Sequence, residues 1–545
     1  MDDDTLPRER HDVVILGGGL AGLTLALQLR ARLPALDIVV LERRRHPVPA
    51  AAHKVGESSV EIAAHYFAHV LGLKSYLERA QLKKFGFRFF FNDGADDITQ
   101  VTELGASRFL PTQSYQLDRG IFENDLAALA RERGIDYRDG ALVRDFAIGA
   151  RGAPHTVDAE RDGAPQRLEA RWLVDASGRA GLVKRRLDLA QPNAHDVNAV
   201  WFRIGEKIDV NDWSDDAEWL ARCHPPNRWL STNHLCGEGY WTWLIPLASG
   251  SHSVGIVADQ ALHPLDTLNS FDKAMDWLRV HQPQLHRVLD AKRDQLQDFA
   301  FFRHFSYGCK RVFNGADRWA LTGEAGLFLD PFYSPGGDFI AISNTYVTEL
   351  IAQDQPDGPG PRMASLYERI YFLLYESWLP LYQDQYPLFG DAEVLPLKVL
   401  WDYTFYWGAM CPLFFQRRLT DVAAMARLQQ GLARAQAVNL AMQAFFRDWH
   451  AVSQGRNPPQ LLDQASLPWF AELNRGLADD LDDAAFWARI DAALERLDAL
   501  ALQIVQRAQA DHPGLAARGV FAALQGRASR EGPNMLFPET AVAGA

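Results

Sequence analysis

The sequence has few cysteines, no excess of basic residues and no long apolar run. Its 545 residues contain four cysteines, Cys223, Cys236, Cys309 and Cys411. None belongs to a CxxC pair or lies near a histidine at zinc-ligand spacing, so neither a disulfide framework nor a metal site is expected. The formal net charge of −13 argues against a nucleic-acid binder, because phosphate binding depends on clustered Lys and Arg. A small organic molecule is the expected partner.

No apolar run reaches the roughly 18 residues that a membrane span needs. Residues Met1 to Arg10 are acidic and polar rather than a basic stretch followed by an apolar one, so no secretory signal is predicted. We therefore expect a cytoplasmic protein. Hydrophobic residues make up 48% and charged residues 23%, which is typical of globular proteins with a full core. The length predicts more than one domain.

A strand, a glycine loop and a helix follow one another near the start of the chain. Val13 to Leu16 is a branched run, the loop spans Gly17 to Gly22, and a second branched run, Asp37 to Leu41, ends in Glu42. This order predicts the βαβ unit of a doubly wound, Rossmann-like α/β sheet. In such a loop Gly17 permits the tight turn, Gly19 the approach of a pyrophosphate and Gly22 the packing of helix on strand. Glu42 is placed to bind ribose hydroxyls, which disfavours NADP but leaves NAD and FAD open.

The middle of the chain is predicted to be β-rich and the end helical. Strands are predicted at Phe85–Phe91, Trp201–Ile204, Tyr240–Leu247 and Ser253–Ala258, and helices at 421–445 and 484–510. The Pro/Gly-rich segment Gln355 to Arg362 is the predicted linker. We expect a core over residues 1–350, with β-rich substrate parts inserted at about 85–115 and 195–305. A helical region over 363–545 is expected to cover the substrate site.

Three segments resemble those of flavin-dependent hydroxylases, reductases and halogenases. Leu117-Asp118-Arg119 resembles the helix start that carries an arginine for FAD, and Leu173 to Arg179 is similar to the "DASGR" strand end of these proteins. The segment from Leu321 to Pro331 resembles their "GDA…DP" segment, with Glu324 in place of the usual Asp. The resemblance implies that the dinucleotide is FAD.

Two further motifs resemble the flavin-dependent halogenases, the group that includes tryptophan and phenol halogenases. Trp241 to Pro246 reads WTWLIP and is similar to their WxWxIP signature, carried here by Trp241, Trp243, Ile245 and Pro246. In period-2 terms the first three lie on one strand face, which also suits a plain core. Lys84, after the Lys54 to Ser59 "GE" loop, falls where the halogenases place their essential lysine, with Lys83 as a solvated neighbour.

The resemblance implies a set of site residues. The implied contacts to FAD are Gly17, Gly19, Ala21, Gly22, Glu42, Arg43, Val55, Gly56, Glu57, Ser58, Arg119, Asp175, Gly178, Gly323, Glu324 and Asp330. Lys84 is the implied catalytic residue, delivering halogen from hypohalous acid to an aromatic ring. Reduced FAD and oxygen would make that acid from chloride or bromide.

The implied halide site is the glycine turn Ser334, Pro335, Gly336 and Gly337, whose N–H groups form an anion nest. Pro335 has no N–H to donate, which leaves Gly336 and Gly337 as donors. Tyr333 replaces the Glu of tryptophan halogenases, so a phenol or another activated aryl group, free or tethered to a carrier protein, is the expected substrate. Trp378, Tyr382, Tyr386, Trp401, Tyr403 and Trp407 are candidates for covering its pocket, although core packing is the more usual role for each.

Alternatives of the same fold remain open. A flavin monooxygenase or reductase is one, and a catalytically silent flavoprotein is another. No second glycine-rich βαβ unit is visible for a nicotinamide, so a separate flavin reductase is the expected partner, with a homodimer as a further possibility. His234 and His304 are candidate acid–base groups, with a structural role the safer interpretation.

Overall fold

A computed structural model describes residues 8–150, 152–354, 360–527 and 532–538. Residues 355–359 of the predicted linker lie outside this part of the chain, whereas Gly360 to Arg362 begin a helix. The chain divides into two compact units. The first unit comprises Met1–Ala80, Leu117–Ala194 and Phe305–Glu376, and the second comprises Gln81–Gln116, His195–His304 and Ser377–Ala545. The division into domains at 1–350 and 363–545 stays a prediction.

The first unit is built on a sheet whose central strands are parallel. In spatial order its main strands are Phe313–Asn314, Trp319–Leu321, Ala164–Asp175, Arg8–Leu16, Ile38–Glu42 and Asp136–Asp139. Ala141–Ala147 and His155–Arg161 extend it as an antiparallel meander on Ala164–Asp175, and Ala190–Gln191 pairs separately with Gly308–Cys309.

The predicted βαβ unit is confirmed. Arg8–Leu16 pairs in parallel with both Ile38–Glu42 and Ala164–Asp175. Its last four residues are fully buried, because a central parallel strand is covered on both faces. The helix Leu20–Arg32 follows the glycine loop, with both of its basic end residues in the last turn.

The other helices of the first unit follow the sheet strands along the chain. They are Glu61–His65, which continues as the π-helix Tyr66–Val70, then Lys74–Ala80, Arg119–Glu132, Leu182–Arg186, Gly336–Ala352 and Gly360–Trp378, whose last two residues belong to the second unit.

The second unit contains an eight-stranded, mostly antiparallel sheet. Its order is Leu296–Phe302, Val197–Ile204, His252–Asp259, Tyr240–Pro246, Thr232–Gly237, Phe87–Phe90, Glu103–Gly105 and Leu461–Asp463. A separate pair joins Leu82–Lys84 to Ser114–Gln116. The strands predicted in the middle of the chain are therefore confirmed, with bounds that differ by at most four residues.

Helices dominate the rest of the second unit. They are Ala217–Ala221, Phe271–His281, Pro283–Asp290, Leu395–Phe405, Cys411–Phe415, Val422–His450, Pro468–Arg475, Asp483–Asp511 and Arg518–Leu524, with the π-helix Tyr406–Met410 before Cys411–Phe415. The helices predicted at 421–445 and 484–510 are confirmed. Among the described residues no helix is long and apolar enough to cross a membrane.

Candidate active site

The glycine loop in the first unit is shaped to receive a pyrophosphate. Gly17 has a φ of +112°, and a Cβ there would overlap the carbonyl oxygen of Ala176. A Cβ at Gly22 would likewise overlap the carbonyl oxygen of Gly17. Gly19 is the N-cap of the following helix and supplies no side-chain cap, so first-turn N–H groups face an open approach for an anion. The loop therefore fits the phosphates of a dinucleotide.

Glu42 lies beside this loop. Its carboxylate accepts hydrogen bonds from the Gly18 N–H at 2.8 Å and from the Arg44 N–H at 2.7 Å. Arg43, which lies between Glu42 and Arg44 in the sequence, is exposed. An anchored carboxylate at the end of the second strand is suited to ribose hydroxyls, as the sequence predicts.

Arg119 holds the GE loop from the start of its helix. Its Nη1 donates to the carbonyl oxygens of Val55 at 2.7 Å and Gly56 at 3.2 Å. The Leu117 N–H donates to the Glu57 carbonyl at 2.5 Å. Glu57 and Ser58 are themselves buried. Arg119 thus organises the loop that the resemblance assigns to FAD, and its own contact to FAD stays a prediction.

Glu123 is a buried partner that the sequence analysis missed. It accepts from Arg119 Nε at 3.1 Å and forms a short ion pair with Lys54. Burial acts to raise the pKa of Glu123, but the charges of Arg119 and Lys54 outweigh it and the pKa is lowered. The i,i+4 spacing of Arg119 and Glu123 on one helix was the available signal.

The Asp175 side chain holds the turn that follows it by hydrogen bonds. The buried carboxylate accepts from the Ser177 N–H at 2.9 Å, the Ser177 hydroxyl at 2.6 Å and the Val183 N–H at 2.7 Å. Burial raises the pKa of Asp175, and these donors oppose the shift. Gly178 follows with a φ of +62°. Asp175 positions this turn at the carboxyl end of the sheet, and a direct contact with FAD stays a prediction.

The segment that resembles "GDA…DP" begins at the next strand end. Gly323 has a φ of +59°, and a Cβ there would lie 2.9 Å from the Cβ of Ala21. The Glu324 carboxylate lies 3.0 Å from Arg179 Nε. Asp330 is buried and accepts from the Phe332 N–H at 2.8 Å.

The predicted halide segment is a helix start rather than a glycine turn. Gly336 and Gly337 are the first residues of Gly336–Ala352, and Pro335 is the N-cap. Of the segment only Ser334 has a positive φ, +53°. A Cβ at Gly337 would lie 2.8 Å from the Cβ of Ala63, so close packing explains this glycine. The N–H groups of a helix start still suit an anion.

Lys84 is buried in the second unit, whereas Lys83 is exposed. The Lys84 side chain is 4% exposed, and its Nζ lies 3.4 Å from the centre of the Phe87 ring. Gly86, at a φ of +80°, makes the turn between them. A desolvated ammonium over an aromatic face is a stabilised arrangement.

The WxWxIP strand is buried along its length. Trp241 Nε1 donates to the Tyr386 hydroxyl at 3.0 Å, and Trp243 Nε1 donates to Ser253 Oγ at 3.1 Å. The Trp243 ring occupies the space that a Cβ at Gly255 would need. The motif therefore has a packing role, and a role toward flavin stays a prediction.

The two candidate histidines differ in burial. His234 is fully buried. Its ring stacks on that of Phe89 with 4.5 Å between ring centres, and its ring centre lies 5.0 Å from that of Trp241. His304 lies 2.7 Å from Asp196 on the surface. Both arrangements suit structural roles.

The six aromatic residues named for the C-terminal region are all buried. The Tyr403 ring centre lies 6.0 Å from that of Phe87, the ring that Lys84 contacts. Trp407 and Phe470 pack on Tyr403 at 4.6 and 5.7 Å. An aromatic wall consequently extends from Lys84 into the helices of this unit.

Known proteins match both the nucleotide-binding part and most of the chain. Residues 10–257 match the model of the FAD binding domain. The flavin-dependent halogenase chlA of Dictyostelium discoideum is 27% identical over 462 residues, which cover 77% of this chain and 74% of the relative. The chain is therefore similar to flavin-dependent halogenases over most of its length.

Other halogenases are similar over shorter or more divergent alignments. The pyrrole-2-carbonyl peptidyl-carrier-protein chlorinase of Pseudomonas fluorescens is 26% identical over 351 residues, covering 60% of this chain and 72% of the relative. The crystal structure of halogenase PltM in complex with phloroglucinol and FAD has a TM-score of 0.65 at 17% identity, covering 91% of this chain and 96% of that one. This structural likeness confirms the predicted fold, an α/β FAD-binding part with a helical C-terminal region.

Proposed function

We propose that this protein is a halogenase that uses reduced FAD and oxygen to halogenate an electron-rich aryl substrate, with Lys84 delivering the halogen. When bound, reduced FAD and oxygen supply the oxidant that converts chloride or bromide to hypohalous acid. Lys84 then holds and polarises that acid as a hydrogen-bond donor. In the alternative route, Lys84 as the neutral amine takes the halogen from the acid with release of water, and the haloamine passes the halogen to the ring, which loses a proton. A separate flavin reductase supplies the reduced cofactor.

The burial of Lys84 carries this proposal. A lysine normally keeps its ammonium in water, and Lys83 does so. Lys84 Nζ instead faces the Phe87 ring at 3.4 Å in a side chain that is 4% exposed. Excluding water from an ammonium costs free energy, and a reaction that must protect hypohalous acid from water accounts for that cost.

An aryl substrate is supported by the aromatic wall beside Lys84. Phe87, Tyr403 and Trp407 follow one another at 6.0 and 4.6 Å between ring centres, and such rings pack well on a flat substrate. Tyr333 supplies no carboxylate to stabilise a cationic indole, so we favour a phenol or similar ring over free tryptophan. Relatives include a chlorinase of a carrier-bound pyrrole, and we propose both free and carrier-bound rings as candidate substrates.

The halide is assigned to the start of the helix Gly336–Ala352. The N–H groups of Gly336 and Gly337 are the available donors, because Pro335 has none. Gly337 also packs closely on Ala63, so substituting Gly336 is the cleaner perturbation of this site.

The decisive experiment compares Lys84→Met with the matched control Lys83→Met. Each protein is incubated with a flavin reductase, NADH, FAD, oxygen and bromide, with an activated phenol as substrate. Mass spectrometry follows the halogenated phenol, and a hypohalous acid trap is measured in parallel. We expect Lys84→Met to retain trapped acid and to lose the halogenated phenol, whereas Lys83→Met keeps both.

The alternatives give different products. A phenol that gains oxygen and no halogen would indicate a monooxygenase. Bound FAD without any oxygen-dependent product across a panel of phenols and pyrroles would indicate a silent flavoprotein. Equal activity of Lys84→Met and the parent protein would contradict the role of Lys84.

A further inference from the structure

Two short turns lie side by side at the carboxyl ends of parallel strands in the first unit. Gly178–Ala180 follows the strand Ala164–Asp175, and Gly323–Ala325 follows Trp319–Leu321. The two strands are neighbours, and the Thr322 N–H donates to the Asp175 carbonyl at 3.0 Å. In open α/β sheets ligands bind at this edge.

Both turns border the nucleotide loop. Ala176, just before the first turn, has its carbonyl oxygen where a Cβ at Gly17 would be. Gly323, at the start of the second, approaches Ala21 so closely that an added Cβ would lie 2.9 Å from the Ala21 Cβ. The arrangement of the two turns therefore shapes the same cofactor site.

Arg179 and Glu324 connect the two turns. Arg179 Nε lies 3.0 Å from Glu324 Oε2, with side chains 20% and 29% exposed. Glutamate is one methylene longer than the aspartate that related flavoproteins carry at this position, and its Oε2 lies within ion-pair distance of Arg179.

The guanidinium of Arg179 is held among aromatic rings. Its central carbon lies 4.5 Å from the Phe305 ring, 5.1 Å from Tyr307 and 5.6 Å from Phe328. Nη2 also donates to the Phe305 carbonyl at 2.8 Å. Ring contacts on several sides restrict the directions in which an arginine presents its donors.

The backbone of the second turn is tied to the same cluster. The Tyr307 hydroxyl donates to the Glu324 carbonyl at 2.7 Å, and Lys184 Nζ donates to the Gly326 carbonyl at 2.9 Å. Lys184 in turn lies 4.1 Å from the centre of the Tyr307 ring. Glu324 is thus engaged by protein groups through both its side chain and its backbone.

We infer that Glu324 is a positioning residue that acts on FAD through Arg179, rather than a direct ligand of the ribityl chain. The ion pair holds the two turns in the arrangement that FAD needs, so that less ordering is left to the binding step. This inference concerns the cofactor and stands whether or not the enzyme halogenates a phenol.

The test is a double-mutant cycle on FAD affinity. The dissociation constant of oxidised FAD is measured by flavin fluorescence for Arg179→Gln, Glu324→Gln and the double variant. We expect each single change to weaken binding about two- to fivefold, the scale of a partly exposed ion pair, and the double variant to be no weaker than the weaker single one. Losses that multiply would overturn the inference, because independent contacts add.

A second variant distinguishes a positioning role of Glu324 from a direct contact with the ribityl chain, because the two roles predict opposite effects on FAD affinity. Glu324→Asp restores the residue usual in related flavoproteins and shortens the reach to Arg179. If Glu324 acts through Arg179, Glu324→Asp weakens FAD binding as Glu324→Gln does. FAD affinity equal to or better than that of the parent protein would show a direct ribityl contact and refute the inference.

Controls separate this effect from net charge and from misfolding. Arg186→Gln removes one positive charge from an exposed pair with Asp145 in the same unit, and FAD affinity should not change; an equal loss there would assign the effect to net charge. Thermal unfolding without FAD checks each fold. If Arg179→Gln unfolds, Arg179→Met serves in the cycle, since it also removes the charge and keeps an unbranched, flexible side chain among the rings.

Discussion

The contact between Lys84 and Phe87 makes a testable prediction. Removing electron density from the Phe87 ring should weaken its attraction for the Lys84 ammonium and make the Lys84 amine more reactive toward an acylating reagent. Replacing Phe87 by phenylalanines with one, two and three ring fluorines keeps its shape and progressively weakens the negative face that attracts the ammonium. The ring centre is 3.4 Å from Nζ and the lysine is 4% exposed. A desolvated cation–π contact contributes about 2 kcal/mol, which corresponds to roughly a 30-fold change in an equilibrium constant.

The assay follows the acylation rate of Lys84 relative to Lys83 by peptide mass spectrometry. Lys83 is the internal reference because it is exposed on the same strand. We expect the ratio to rise stepwise with fluorine number, by up to roughly 30-fold for the trifluoro ring, and halogenation to fall in the same order. A flat ratio across the series, with unchanged circular dichroism, would refute the cation–π interpretation.

Three further changes probe the fold around the two sites. Gly17→Ala should abolish FAD binding and destabilise the protein by more than about 2 kcal/mol, because the new side chain is strained at a positive φ and overlaps Ala176. The control is Gly163→Ala, where φ is +77° and the surrounding space is open. Its thermal unfolding measures the backbone strain alone. His155 is buried between the Gly149 N–H and the Arg318 carbonyl, and burial lowers its pKa. The unfolded chain therefore binds a proton first, and stability should fall as pH drops below about 6.5; His155→Gln should flatten the dependence of Tm on pH in that range. Gly255→Ala should displace the Trp243 ring, lower the free energy of unfolding by about 1–3 kcal/mol through overpacking and shift tryptophan fluorescence. An unchanged spectrum would contradict the packing described for this strand.

Local patterns were enough to predict the βαβ unit, since the strand, the glycine loop, the helix and Glu42 lie within one short stretch of the chain. Lys84 is buried and Lys83 is exposed, and the catalytic role that the halogenase resemblance implies for Lys84 stays a prediction. The pattern of apolar residues predicted a strand over the WTWLIP segment, where the structure has one.

Contacts between residues that are far apart along the chain could not be predicted from the sequence. Arg179 and Glu324 meet because their strands are neighbours in the sheet, and no periodicity shows strand order. Gly336 and Gly337 predict a turn from their propensity, yet they begin a helix. Close packing of Gly337 on Ala63 and the apolar residues that follow outweigh the low helix propensity of glycine.

The strand Leu461–Asp463 affects both folding during synthesis and the design of chimeras with related proteins. It pairs in parallel with Glu103–Gly105, and Asp463 accepts hydrogen bonds from the N–H and hydroxyl of Ser107 at 2.9 and 2.7 Å. A ribosome must therefore finish most of the polypeptide before this sheet edge can close. Chimeras that graft a relative's C-terminal helices should carry residues 81–116 with them, because a foreign strand would leave that edge open to other chains.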